Sequence, residues 1–267
     1  MWDKELIIAR QAARESGKIL NDLMGKVVRI NKKGKIDLVT EADLQSEKVI
    51  LDIIGTNFPE DSILAEEAGK HEHLSERLWI IDPLDGTTNF AHSFPFFAVS
   101  IALQVEGEVV LGLVFNPRLD EQFEARKGKG AFLNNNPIKV SRTRSLRESL
   151  MATGFPYNIY KDPKRVMDLL TEMITLVQGV RRPGSAAIDL CYVASGRLDG
   201  FWEEGLQPWD TAAGSLIVEE AGGKVSDYSG VPYTLFQKNI VASNPYIHKK
   251  MLGVLRPGQV PKGGFNP

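Results

Sequence analysis

Hydrophobic residues recur at helical spacing near the start of the chain. Between residues 6 and 23 they form one apolar stripe, and Gly25 follows at a position where glycine commonly caps a helix. A second stripe covers residues 44–58 and follows Thr40 and Asp43, whose spacing is that of a capping box. The pattern therefore predicts two consecutive helices.

The pattern changes between residues 63 and 140, where short apolar runs replace the helical stripes. Runs such as FAVSIALQV and VVLGLVF are separated by turn signals, among them Glu106-Gly107 and the asparagines at 134–136. These features predict a meandering, largely antiparallel sheet.

Three more helices are predicted beyond residue 150, where helices and strands alternate. Asp162-Pro163 begins the first, because proline is common at the first helical position. Ser185 can cap the second helix, which Gly196 ends. Asp210 can cap the third, which ends at Gly222.

Composition excludes several classes of function. The chain has 267 residues with 32 Lys and Arg against 34 Asp and Glu, so its formal net charge of -2 gives no global positive field for nucleic acid or anionic membrane. Its most apolar stretch, residues 94–105, is much shorter than the roughly 20 residues that span a bilayer. The first residues lack a secretory signal, and the single cysteine, Cys191, excludes an internal disulfide. We expect a cytoplasmic protein with no membrane role.

The strongest chemical signal is the segment WIIDPLDGTTNF at residues 79–90. Its apolar run ends at Asp82, and Pro83 turns the chain so that Asp85 can lie beside Asp82. Two carboxylates at such a distance repel each other unless a cation neutralises them. Together with the Leu84 carbonyl they form an all-oxygen set suited to a hard divalent ion such as magnesium.

Gly86 and Thr87 extend this signal with backbone N–H groups and a hydroxyl, which suit a phosphate oxygen or a water molecule. An ordinary turn is the alternative, since Asp-Pro and Asp-Gly are common turn formers. A turn, however, does not account for two acids at the end of a buried run followed by Gly-Thr-Thr. Other acids lie in similar positions and could belong to the same kind of site. Each also has an ordinary interpretation, because Asp43 and Asp210 are candidate helix caps and Glu66-Glu67 is a candidate for solvated surface.

The remaining motifs limit the chemistry. The four histidines show no metal-binding helical pair, and the chain has neither a Gly-x-Ser-x-Gly elbow nor a P-loop. A hydrolase with these parts would use water as its nucleophile, activated by a metal. This points to phosphate esters, whose charge magnesium ions can neutralise during an in-line attack.

Two segments carry a resemblance to a known family. WIIDPLDGTTNF (79–90) and PWDTAAGSLIVEEAGG (208–223) are similar to the two signatures of the inositol monophosphatase family, which is magnesium-dependent and lithium-sensitive. The chain resembles bacterial members over nearly its whole length. The resemblance implies an α+β fold, a layered αβαβα sandwich, and a single catalytic domain over residues 1–267. We expect lobes at about 1–145 and 146–255 and a frayed tail at 256–267.

The resemblance implies a metal site when it is carried over residue by residue. Glu66, Asp82 and the Leu84 carbonyl would hold a first ion. Asp82, Asp85 and Asp210 would hold a second, with Asp82 bridging the two, and Glu66 would help a weaker third. The implied cofactor is therefore two or three Mg²⁺ ions, for which Mn²⁺ can substitute.

Catalytic and substrate-binding residues follow from the same resemblance. Thr87 and Glu66 would orient the attacking water, supported by Asp43 and Thr40. The implied substrate-binding residues are Asp85, Gly86, Thr87, Ala186, Glu203 and Asp210, with the Gly86 and Thr87 N–H groups on the phosphate. Lys35 resembles a flexible-loop lysine near the metals, with a solvated charge as the alternative.

The activity that we expect is hydrolysis of myo-inositol monophosphate by a homodimer. The same catalytic core also fits fructose 1,6-bisphosphate, histidinol phosphate or adenosine 3′-phosphate, and the last ranks lower because the chain shows no long insertion. A preference for a bisphosphate would depend on loops near Lys35 and on residues 155–165.

A role of another class is binding within a transcription complex, since some bacterial relatives join such complexes. Arg181-Arg182 is the feature that would test it. Two arginines are a small electrostatic footprint for nucleic acid, so a solvated turn or a dimer contact is the favoured interpretation.

Overall fold

The computed structural model describes residues 1–26, 30–32, 38–71, 73 and 75–256. Within these ranges the helices are α1 (Asp3–Leu23), α2 (Glu41–Asn57), α3 (Thr87–Ala91), α4 (Pro163–Ile174), α5 (Ala186–Ala194), α6 (Pro208–Glu220) and α7 (His248–Leu255), with 3-10 turns at Leu146–Glu148 and Ile159–Lys161. Lys35 and residues 257–267 of the expected tail lie outside the described residues. No helix in the described ranges is both long and apolar enough to cross a bilayer.

The strands of the described ranges form two large sheets and one short hairpin. In chain order they are β1 (Ile30–Lys32), β2 (Leu38–Thr40), β3 (Ser62–Ala65), β4 (Gly69–His71), β5 (Arg77–Asp85), β6 (Ala98–Val105), β7 (Glu108–Asn116), β8 (Glu121–Arg126), β9 (Ala131–Leu133), β10 (Asn136–Ile138), β11 (Leu150–Thr153), β12 (Gly179–Arg181), β13 (Gly200–Glu204), β14 (Lys224–Ser226) and β15 (Asn239–Ser243). The hairpin is β1 with β2.

The first large sheet has eight strands in the order β10-β9-β8-β7-β6-β5-β3-β4. Its pairs are antiparallel except β3 with β5, which run parallel. The second has five strands in the order β12-β11-β13-β15-β14, with β11 parallel to β12 and β13. The predicted meander is confirmed. The division of the chain into lobes near residue 145 stays a prediction.

The elements stack in five layers. Helices α1 and α2 cover one face of the large sheet, and α6 packs on its other face against β5, β6, β7 and β8. Helix α5 packs on α6 and contacts β13 and β15 of the small sheet, whose far side carries α7 with α4 packed on it. This arrangement confirms the predicted αβαβα sandwich.

Strand alternation divides the core of the large sheet between its two faces. On β5, Trp79 and Ile81 join the core cluster beneath α1 and α2, whereas Ile80 between them joins the cluster shared with α5 and α6. Successive side chains of a strand point to opposite faces. Because both faces are covered, the central strands β6 and β7 are largely apolar, as in the runs that predicted them.

Local sequence signals explain the starts of α2, α4 and α5. Thr40 and Asp43 form the predicted capping box of α2, and the Ser185 hydroxyl accepts a hydrogen bond from the Ile188 N–H in α5. Helix α4 begins at Pro163 as predicted, although the Asp162 side chain makes no capping hydrogen bond.

The predicted cap of α6 is wrong in position. The helix begins at Pro208 with Gln207 as its N-cap, and Asp210 lies in the first turn, where its carboxylate accepts a hydrogen bond from the Gln207 N–H at 2.7 Å. Proline at the first helical position places the cap one residue before it. Asp210 thus stabilises the helix start from inside the helix.

Candidate active site

A cleft of about 630 Å³ lies where the end of β5 meets the starts of α5 and α6 and the end of β13. Seven acidic side chains line it: Glu66, Asp82, Asp85, Asp189, Glu203, Glu204 and Asp210. Among the described residues, Arg182 is the only lysine or arginine that lines it. The cleft therefore concentrates negative charge in a partly enclosed space.

Three of these acids converge on one point. One carboxylate oxygen from each of Asp82, Asp85 and Asp210 lies within 4.8 Å of the others. Asp82 and Asp85 come from the carboxyl end of β5, and Asp210 comes from the first turn of α6. Residues 125 or more positions apart in the chain are thus brought to a single site by the packing of α6 on the large sheet.

An irregularity in β5 brings its two aspartates to the same side. Asp82 pairs with Ser100 of β6, but Asp85 pairs with Ala98, so β5 has one residue more than its partner strand over this stretch. In a regular strand, residues three apart point to opposite faces, and one extra residue cancels that alternation. Pro83, which has no N–H to donate to the ladder, lies within the bulge.

The three carboxylates are held by defined donors. The Leu84 N–H donates to Asp82 Oδ1 at 2.9 Å. Asp85 Oδ2 accepts from the Ser185 hydroxyl at 2.6 Å and from the Ala187 N–H at 2.7 Å, at the start of α5. These bonds fix the carboxylates in place before any ion binds.

The three carboxylates repel one another when no cation lies between them. Burial raises the pKa of Asp82 well above its usual range, and the negative charges of Glu66, Asp85 and Asp210 raise it further. Burial raises the pKa of Asp85 to about 6, although its hydrogen bonds from Ser185 and Ala187 act in the opposite direction. Burial and then Asp85 raise the pKa of Asp210. A bound divalent cation would offset this repulsion and favour the charged forms of the carboxylates.

The donor set fits a hard divalent cation. The group consists of carboxylates, and the Leu84 carbonyl lies in the same cleft wall between Asp82 and Asp85. Oxygen-only sets favour magnesium, manganese or calcium over zinc or copper, which prefer nitrogen and sulfur. Glu66 is not part of the group of three, but it lines the same cleft at the end of β3.

Thr87 lies next to the group and is linked to the start of α2. Its hydroxyl is 3.0 Å from Asp43 Oδ1 and 3.1 Å from the Leu84 carbonyl oxygen. Asp43 Oδ2 accepts both the Thr40 N–H at 2.7 Å and the Thr40 hydroxyl at 2.6 Å. Because Thr87 has one proton, donating it to either acceptor leaves its oxygen lone pairs available to a water in the cleft.

Gly86 must be a glycine for two reasons. Its φ of 99° is in the left-handed region, which side chains with a Cβ rarely adopt. A Cβ there would also lie 3.0 Å from the Phe96 carbonyl oxygen. The residue thus lets the chain turn from β5 into α3 while its backbone stays open to the cleft.

Glu203 and Ala186 also line the cleft. Glu203 is buried at the end of β13, and burial raises its pKa to about 8, with Arg182 acting in the opposite direction. Its carboxylate occupies the space beside Gly154, where a Cβ would overlap it. The structure therefore brings all the site residues implied by the sequence to one cleft or to its immediate support.

Three further cleft residues were not predicted from the sequence. Gly154 makes room for Glu203, Asp189 lines the cleft one helical turn after Ala186, and the Arg182 guanidinium lies 5.5 Å from the centre of the Phe155 ring. The interpretation of Arg182 as a solvated turn or dimer contact is incomplete, since it also lines the cleft. Asp189 had a usable signal, because residues three apart share a helix face.

The raised pKa values predict that the metal-free protein gains stability on acidification from pH 8.5 to 6.5. An acid whose folded pKa is raised contributes stability that is fully present below its unfolded pKa and is lost as the pH rises through the folded value. With a folded pKa of about 8, Glu203 alone gives a gain of about 2 kcal/mol across this window. Thermal or urea denaturation in EDTA would measure it.

Glu203→Gln is the matched control for this pH dependence, because it removes the titrating group and keeps its shape. We expect the variant to lose the share of Glu203, about 2 kcal/mol, and to keep the part that the other buried acids contribute. His248, whose pKa burial lowers to about 4, acts with the opposite sign but only below its unfolded value near 6.5. A parent protein that loses stability between pH 8.5 and 6.5 in EDTA would contradict the prediction.

Comparisons with known proteins place these features in context. The sequence profile of the inositol monophosphatase family matches residues 1–258. The chain is 49% identical over 248 residues to the inositol-1-monophosphatase of Synechocystis sp., covering 92% of this chain and 86% of that protein. It is 43% identical over 254 residues to the Nus factor SuhB of Salmonella typhimurium, covering 94% and 95%.

A solved structure agrees with the sequence comparisons. The extragenic suppressor protein SuhB from Bartonella henselae matches with a TM-score of 0.93 at 41% identity, covering 96% of this chain and 100% of that one. The similarity thus extends over the whole fold and is not confined to the two signature segments.

Proposed function

The chain belongs to the inositol monophosphatase family, a family of metal-dependent phosphatases, and from this we propose that it hydrolyses myo-inositol monophosphate to inositol and phosphate with Mg²⁺ as cofactor. The observation that carries the proposal is that one carboxylate oxygen from each of Asp82, Asp85 and Asp210 lies within 4.8 Å of the others. These carboxylates, with Glu66 and the Leu84 carbonyl, would hold two or three magnesium ions. When bound, magnesium supplies a Lewis acid that neutralises phosphate charge and lowers the pKa of a water molecule.

The chain's own residues would position the attacking water. Thr87 Oγ1 is fixed by Asp43 and the Leu84 carbonyl, so its lone pairs have a set direction into the cleft. Glu66, which lines the same cleft, would supply a second acceptor. A water between them has its attacking lone pair oriented before the ester arrives, which is the positional part of catalysis.

The two ends of the substrate would occupy different parts of the cleft. The backbone N–H groups of Gly86 and Thr87 suit the phosphate oxygens. Asp85, Ala186 and Glu203 would contact hydroxyls of the alcohol, and Glu203 and Ala186 both line the cleft without belonging to the group of three carboxylates. This division supports a polar, hydroxylated alcohol as the leaving group.

Other sugar phosphates, including fructose 1,6-bisphosphate, are the nearest alternative, because the metal and phosphate groups do not discriminate among them. Homodimer formation, a cytoplasmic location and inhibition by lithium belong to the same proposal and rest on the family resemblance.

A substrate panel tests the proposed function. We expect phosphate release to be fastest with inositol monophosphates among a dozen esters, and to fall at least about 100-fold when EDTA replaces Mg²⁺, because the repelling carboxylates cannot act without a cation. Mn²⁺ should restore part of the activity. The highest kcat/KM with fructose 1,6-bisphosphate would favour the alternative substrate, and undiminished turnover in EDTA would refute the metal-dependent mechanism.

A second candidate role is association with a transcription complex, favoured by the similarity to a protein named as a Nus factor. Because Arg182 lines the cleft, a substitution there would alter hydrolysis as well and cannot separate the two roles. Arg181 is exposed at the end of β12 and does not line the cleft, so Arg181→Ala is the sharper variant. Loss of partner association with unchanged hydrolysis would support a separate binding role.

A further inference from the structure

Asp189 is a buried acid in the cleft whose contacts do not explain its presence. It lies on α5, is 1% exposed and lines the cleft. Its Oδ1 atom is buried and has no hydrogen-bond partner within the described part of the chain. Buried polar atoms are nearly always hydrogen-bonded, and an unpaired one lowers stability. A cost of this kind in a cleft points to a partner that arrives with the ligand.

The surroundings of Asp189 make its position still less favourable in the free protein. Burial raises its pKa well above the usual range, and the charges of Glu203 and Asp85 raise it further, while Arg182 acts in the opposite direction. Asp189 therefore lies in a strongly acidic region with a single arginine as its counter-charge among these neighbours.

The metal group does not account for Asp189. The three converging carboxylates are Asp82, Asp85 and Asp210, and Asp189 is not among them. Asp189 is instead one helical turn beyond Ala186, and among the neighbouring charges that of Glu203 raises the pKa of Asp189 most. Ala186 and Glu203 are the residues assigned above to the alcohol end of the substrate.

We propose that Asp189 is a specificity-determining residue whose carboxyl group accepts a hydrogen bond from a hydroxyl of the substrate alcohol, next to the hydroxyl bound by Glu203. The inference rests on the proposed function and deepens it, because it assigns a further hydroxyl contact on the alcohol portion of the monophosphate ester. A site with a buried acceptor discriminates strongly against an ester that has no hydroxyl to offer, because the acceptor then stays unpaired.

Two variants at this position and one control elsewhere test the proposal. Asp189→Ala removes the acceptor, whereas Asp189→Asn keeps one acceptor oxygen without the charge. Asp199→Asn is the control, because Asp199 is also a buried aspartate but is paired with the Ser141 hydroxyl at 2.6 Å and the Leu150 N–H at 2.7 Å, and it does not line the cleft.

The readout is the ratio of kcat/KM for inositol 1-phosphate to kcat/KM for p-nitrophenyl phosphate, which has no hydroxyl on its alcohol portion. We expect this ratio to fall about 10- to 100-fold in Asp189→Ala, as for a lost hydrogen bond to a charged group, and to fall less in Asp189→Asn. Asp199→Asn should leave it within about 2-fold. An unchanged ratio in Asp189→Ala, or an equal loss for both esters, would overturn the proposal.

Thermal stability distinguishes the proposed role from a purely structural one, because removing a structural Asp189 would lower the Tm. We expect Asp189→Ala to raise the Tm of the ligand-free protein by about 2 °C or more, because it removes an unpaired buried acid, whereas Asp199→Asn should lower it. A lower Tm in Asp189→Ala would overturn the proposal. If the parent protein does not hydrolyse inositol 1-phosphate, the proposed function fails, and the ratio is then measured with the best hydroxylated ester of the panel.

Discussion

Asp82→Asn is expected to lower Mg²⁺-dependent phosphate release by about 1,000-fold or more and, at the same time, to raise the stability of the metal-free protein. Asp82 is 1% exposed and is surrounded by the charges of Glu66, Asp85 and Asp210. The amide keeps an oxygen for the Leu84 N–H but removes the negative charge that a cation needs. The same change therefore weakens metal binding and relieves repulsion in the metal-free state.

The two effects are measured separately. Saturation kinetics over a range of Mg²⁺ concentrations report the loss of turnover, and thermal melts in EDTA report the stability. Added Mg²⁺ should raise the Tm of the parent far more than that of the variant, because an ion that binds only the folded state stabilises it. Activity within 10-fold of the parent, or a lower Tm in EDTA, would contradict the assignment of Asp82 to the metals.

A control variant separates the loss of a charge from the loss of a buried aspartate. Asp61 is also buried, but it accepts hydrogen bonds from the Arg77 guanidinium and, at 2.9 Å, from the Trp79 indole N–H. We expect Asp61→Asn to destabilise the protein while turnover per folded molecule changes little. Opposite effects of two buried aspartates on stability would show that the acids of the cleft are placed there for a ligand.

The parts of the site that lie close together in sequence are those that the sequence predicts best. The segment around Asp82 and Asp85 carries its acids, its proline and its glycine within a few residues, so local rules identify it. Asp43 was given two interpretations, as a helix cap and as support for Thr87. The structure shows that they are compatible, because Oδ2 accepts from Thr40 while Oδ1 accepts from Thr87.

The parts that the sequence does not predict depend on packing between distant elements. Gly154 carries no side-chain signal, and its importance is visible only because Glu203 of β13 occupies the space beside it. Arg182 belongs to the cleft because the chain before α5 passes its edge. Likewise, the layer order follows from which helix faces which sheet, and apolar periodicity gives the buried face of a helix but not the identity of its partner.

Gly112→Ala is expected to cause a loss of about 2 to 3 kcal/mol in the free energy of unfolding. Gly112 lies in β7, and a Cβ there would lie 2.7 Å from the Ala213 carbonyl oxygen and 2.9 Å from its Cα. These are backbone atoms of α6, which cannot rotate away as a side chain can. The helix must therefore shift relative to the large sheet. Urea denaturation would measure the loss.

The same shift would reach the metal group, because Ala213 is one helical turn from Asp210. We expect the variant to bind Mg²⁺ more weakly and to lose about 10-fold or more in kcat/KM, since a misplacement of a fraction of an ångström is enough to disturb a ligand set. Gly55→Ala is the matched control. Gly55 lies in α2 with no atom within 4 Å of its would-be Cβ, so alanine should stabilise the helix by about 0.5 to 1 kcal/mol. If Gly112→Ala were as stable and as active as the parent, the close packing of α6 on β7 would not be what holds Asp210 in place.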